Sequence, residues 1–152
     1  MKNACLGLVA VALLAIGVIA AEEKKEEKFS ATCPVSGKAA VEDKTVEYKG
    51  GHVYFCCGGC PDAFSADVAK YASKANHQLV QTHQATQTKC PLSGGKLNPD
   101  TGVEVSGVTV TFCCNNCKGK VAAKTGAEQV DLVFNDTAFG KGFEVKKEEK
   151  TN

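Results

Sequence analysis

The sequence predicts an α+β protein of two small tandem modules, each made of a cysteine-rich turn, a β-hairpin and a helix. First, a three-cysteine signature repeats: Cys33, Cys56 and Cys60 recur 57 residues later as Cys90, Cys113 and Cys117. Second, β-prone residues flank a glycine turn between the first two cysteines of each copy. Third, Phe64, Val68, Tyr71, Ala75 and Leu79 follow Cys60 at spacings of four, three, four and four, which puts them on one helical face. A fixed offset with matching neighbours is the mark of an internal duplication.

In chain order, residues 1–21 have one lysine, then an uncharged apolar run over 6–19, then Ala20 and Ala21. That is the layout of a secretory signal peptide, and the run falls short of the roughly 20 apolar residues that a membrane span needs. Cleavage after Ala20 or Ala21 removes Cys5 and leaves eight cysteines, four per copy, in an oxidising compartment, periplasmic or secreted. The charged stretch 22–29 and the tail 146–152 lack an apolar stripe and read as solvated ends. The first module covers 30–81 and the second 90–145, with a polar linker at 82–89. Modules of this size bury too little surface for a large net stability and commonly add a metal or disulfides.

In the first copy, strands at 46–48 and 52–55 flank Lys49-Gly50-Gly51; in the second, 103–105 and 108–112 flank Ser106-Gly107. Pro61 and Asp62 then suit the first turn of a helix. In the second copy residues 118–124 can be helical, Gly126 interrupts, and Val130, Leu132 and Phe134 alternate as in a strand, which leaves that end open. The mature chain carries 17 lysines against 17 acidic residues and no arginine, which argues against nucleic acid or phosphate as a partner.

Three thiolates converging on one point suit a soft or borderline ion, copper or zinc, rather than calcium or magnesium. A turn carrying Cys33, a hairpin leading back, and a Cys-x3-Cys pair at a helix start can bring those sulfurs together, and the helix N-terminus is expected to favour thiolate at Cys60 and Cys117. Two other readings stand beside this one. Eight exported cysteines allow a disulfide framework with 105 pairings, and an extracellular interaction domain without metal. Cys57-Gly58-Gly59-Cys60 and Cys114-Asn115-Asn116-Cys117 each have the Cys-x2-Cys form of a thiol redox pair. His77 and His83 fall in a polar helix end and the linker and carry little signal, while Ser36 and Ser93 read as turn residues. No Ser-His-Asp set or carboxylate pair supports hydrolysis, so the chain reads as a binding protein rather than an enzyme.

Cys33-Pro34-Val35-Ser36-Gly37-Lys38, Glu47-Tyr48-Lys49-Gly50, Tyr54-Phe55-Cys56-Cys57-Gly58-Gly59-Cys60, Phe64 and Asp67-Val68-Ala69-Lys70-Tyr71 together resemble a YHS domain of the TRASH superfamily. In the second copy the resemblance rests on Cys90-Pro91-Leu92-Ser93-Gly94 and Phe112-Cys113-Cys114-Asn115-Asn116-Cys117. It implies a treble-clef-like fold and a role in heavy-metal sensing, trafficking or resistance, with another metal-handling protein as a partner. Many members of that family place their first cysteine where this chain has Ser36 and Ser93; here it lies three residues earlier. Candidate fourth ligands are Cys57, Cys114 and His52, the last matched by Thr109 in the second copy.

Overall fold

Both glycine turns close hairpins through one backbone conformation. In a computed structural model that describes residues 29–146, β1 (Val41–Tyr48) and β2 (Gly51–Phe55) pair antiparallel, with Lys49 and Gly50 between them at φ 52° and 84°. Two successive positive φ values are the type I′ turn, whose twist matches that of the flanking strands. Strand β2 alternates, burying Gly51, Val53 and Phe55. The helix behind it is broken in two. Helix α1 (Gly59–Ala66) ends at Asp67, which leaves helical geometry at φ −149° and caps α2 (Val68–Gln81) by accepting from the Lys70 N–H at 3.1 Å. This break corrects the single apolar face expected over both. Phe64, Ala75 and Leu79 are buried, but Val68, as the first residue of a new helix, is 38% exposed.

The stretch expected as a linker contains a strand, β3 (Ala85–Gln87). In the second copy a 3-10 turn at Pro99–Thr101 precedes β4 (Val103–Val105) and β5 (Val108–Val110), joined through Ser106 and Gly107 at φ 49° and 85°. Helix α3 (Asn115–Ala122) follows, then α4 (Gly126–Phe134), α5 (Asp136–Gly142) and β6 (Phe143–Val145). Residues 130–134 are therefore helical rather than extended. Gly126, at φ +53°, turns the chain out of α3 and starts α4, and Val130, Val133 and Phe134 point inward at helical spacing.

The two modules share one core. Helix α2 lies against α4 and α5, and β6 returns to pair antiparallel with β3, Ala85 opposite Val145 and Gln87 opposite Phe143. Phe134 packs 5.3 Å from Phe143 and edge-on to the His77 ring at 5.0 Å, while Phe55 and Phe64 meet at 5.4 Å in the first copy. The expected leader over 1–21, the charged stretch through residue 28 and the tail beyond Lys146 lie outside the described residues. Among the described residues no helix is long and apolar enough to cross a membrane.

Candidate metal centres

The first cysteine of each triad sits in the same tight turn. The Cys33 carbonyl accepts from the Gly37 N–H at 2.9 Å and the Cys33 N–H donates to the Lys38 carbonyl at 2.8 Å; Cys90 does likewise with Gly94 at 2.7 Å and Gly95 at 2.9 Å. Gly37 and Gly94 hold φ values of 72° and 73°, a conformation glycine adopts without steric penalty. The second cysteine follows a hairpin strand, directly after β2 in one copy and three residues beyond β5 in the other, behind Phe55 and Phe112, both fully buried. The third lies in the first turn of α1 or α3. Turn, hairpin and helix start thus converge.

In each triad, Cys33 with Cys56 and Cys60, and Cys90 with Cys113 and Cys117, the sulfurs all lie within 4.8 Å of one another. Cys56 and Cys60 are 3.7 Å apart and Cys113 and Cys117 are 3.8 Å apart. Tetrahedral zinc with bonds of about 2.3 Å needs sulfur–sulfur edges of about 3.8 Å, so the spacing fits a thiolate-bound ion. The innermost members are buried, Cys56 and Cys113 are half-buried, and all eight described cysteines are free thiols. Each triad could hold a metal ion.

The proton distribution differs from the expectation that the helix N-terminus favours thiolate at Cys60 and Cys117. Burial raises the pKa of Cys33, but the Ser36 side chain and the backbone N–H groups of Ser36, Cys56 and Val35 outweigh it and bring the thiol down to about 7. In Cys90 the same opposition, with Ser93 and nearby backbone, also gives about 7. Cys60 is pushed far up by the Cys57 thiol, then by burial and by Cys56 and Cys33. Cys117 is pushed up to about 12 by burial and then by Cys113, Cys114 and Cys90. Burial and hydrogen bonding to neighbouring sulfurs both favour the protonated thiol at the helix start. Each triad therefore offers one ready thiolate, at the turn, and retains protons that a bound cation would displace.

Of the candidate fourth ligands, none joins these groups. Cys57 is exposed, with its sulfur 3.3 Å from that of Cys60, and exposed Cys114 lies 3.7 Å from Cys113. His52 sits in β2, its backbone paired with the Gln84 side-chain amide. The sequence reading missed the contact of Ser36 with Cys56, a 3.1 Å approach of hydroxyl to sulfur repeated between Ser93 and Cys113. The recurring Cys-Pro-x-Ser-Gly was its signal. Both hydroxyls also accept from backbone two residues on, as turn residues do. His77 falls toward the end of α2 and is buried there, 6% exposed, with Nε2 3.3 Å from the Val105 carbonyl oxygen.

Compared with known proteins, the chain matches no family profile, no curated protein and no solved structure.

Proposed function

We propose that this chain is an exported binding protein that captures, buffers or delivers a soft metal ion, copper or zinc, through Cys33, Cys56 and Cys60 and through Cys90, Cys113 and Cys117. The observation that carries the reading is the convergence of three sulfurs at metal-bonding spacing in both copies, from elements far apart in sequence. Export is supported by the leader-like residues 1–21. The cysteine, hairpin and helix pattern supports placing both modules with the YHS domains, as divergent members whose first ligand is shifted to the start of the turn. The donor set would supply charge neutralisation and soft coordination. The partial exposure of Cys56 and Cys113 leaves each site accessible to a second metal-handling protein.

The deciding experiment is elemental analysis with thiol titration on protein recovered from its exported fraction without added metal. About one copper or zinc per triad, with thiols protected until the ion is chelated, supports the reading. Protein with neither metal nor free thiols overturns it in favour of a disulfide framework. Cys33→Ser and Cys90→Ser should each remove one ion and spare the other.

A further inference from the structure

The two copies differ at the sulfur that stands outside each triad, and the cause is a one-residue shift in where the helix begins. In the first copy Gly58 is the residue before the helix, at φ −67°, and Cys57 lies one position further out. The Cys60 N–H then turns back to the Cys57 carbonyl at 3.3 Å, and the two sulfurs face each other at 3.3 Å. In the second copy Cys114 itself is the capping residue, extended at φ −160°, and its carbonyl accepts the first helical bond from Lys118 at 3.1 Å. Its sulfur lies 3.7 Å from its chain neighbour Cys113. A bond between adjacent cysteines closes a strained ring, whereas a Cys-x2-Cys pair around a helix start closes readily. The Gly58-Gly59 spacer, beside which an added Cβ would meet nothing, leaves that corner open.

We propose that Cys57 and Cys60 form a thiol–disulfide exchange pair present in the first copy alone, with a low-molecular-weight disulfide as co-reactant. Exposed Cys57 attacks one sulfur of that disulfide, forming a mixed disulfide and releasing one small thiol. Buried Cys60 then attacks the Cys57 sulfur, closing the Cys57–Cys60 bond and releasing the second small thiol. Two electrons pass from the protein to the small disulfide, and two protein thiol protons leave with the two released thiols. On the proposed function, which this step rests on only for its consequence, the new bond withdraws one of the three donors of the first centre and leaves the second intact. Oxidation then empties one site and spares the other.

The test treats the reduced, metal-free protein with glutathione disulfide under anaerobic conditions and maps the crosslinks by peptide mass spectrometry. The same treatment is applied to zinc-loaded protein, followed by zinc content. The expected first crosslink is Cys57–Cys60, zinc falls from two ions to one, and Cys57→Ser abolishes both effects. Replacing Gly58 and Gly59 by Asn, as in the second copy, should slow the crosslink while leaving zinc uptake intact. A first crosslink through Cys33 or Cys56, or equal rates in both copies, overturns the exchange pair. A Cys57–Cys60 bond in a chain that takes up no zinc leaves the pair standing and overturns the metal reading with its gating consequence.

Discussion

Gln78 and Tyr54 pair as two strand residues would, although one of them is a side chain in a helix. The Tyr54 N–H donates to Gln78 Oε1 at 2.7 Å, and Gln78 Nε2 donates to the Tyr54 carbonyl at 2.8 Å and to the Thr32 carbonyl at 2.8 Å. Gln84 does the same for His52, and in the second copy Gln87 does it for Thr111, the position that matches Tyr54. A two-stranded hairpin leaves the outer edge of each strand to find other partners, and these amides serve the outer edge of the returning strand just before the second cysteine.

Gln78→Leu should accordingly destabilise the fold by about 2 kcal/mol, since it removes three hydrogen bonds to backbone groups from a fully buried side chain. Gln78→Glu, which keeps the acceptor but sets a buried carboxylate oxygen against the Thr32 and Tyr54 carbonyls, should be at least as destabilising as leucine at neutral pH. Urea denaturation of the three proteins checks the order; a leucine variant as stable as wild type would show the edge is solvated instead.

Gly142→Ala places a Cβ 2.8 Å from Pro91 Cα and 2.9 Å from the Lys89 carbonyl oxygen, both backbone atoms that cannot swing aside. The expected loss is about 2 kcal/mol. The displacement falls on the turn that holds Cys90, so alkylation of Cys90 should accelerate while that of Cys33 stays slow. Equal change at both turns would refute the local account.

Alkylation of the wild-type protein should follow exposure rather than acidity. Cys57 and Cys114 are exposed and should react first, whereas Cys33 and Cys90 are 0% exposed and should react last even though their pKa values lie at about 7. Mass-resolved labelling with iodoacetamide at neutral pH gives the order directly.

Burial between α2 and the second copy lowers the pKa of His77 from its ordinary value, opposed by carbonyl contacts at Val105 and Ser106. Because the folded value is the lower one, the unfolded chain binds the proton more readily. Stability is complete above about pH 6.5 and declines as pH falls from there through the folded value. His77→Gln should remove that part of the slope below about pH 6.5. Urea midpoints across the range, with the imidazole titration followed by NMR, test the sign.

The hairpins and the cysteine triads were legible because both are written locally or repeated: the Lys49-Gly50 and Ser106-Gly107 turns need residues that tolerate positive φ, and the triads recur at one offset. The break at Asp67 was hidden because the apolar spacing runs straight across it, and only the capping carboxylate marks the restart. Helix α4 was ambiguous because Val130, Leu132 and Phe134 alternate while Val130, Val133 and Phe134 also fit a helical face. What decides between them is the packing of α4 on α2, a contact between copies that no local pattern records. His77 looked like part of a polar helix end for the same reason; its partner, the Val105 carbonyl, lies in the second copy.

The pairing of β3 with β6 sets an order of assembly. Ala85 lies opposite Val145, so the segment between the copies has no strand partner until some 60 further residues have been synthesised. The first hairpin and its cysteine turn close through short loops, whereas the junction needs a long one and should form late. A ribosome-bound chain stalled before Phe143 would present the first triad while the edge of β3 still waited for its partner strand. Protease sensitivity near residues 85–87 would disappear only once the final strand was made.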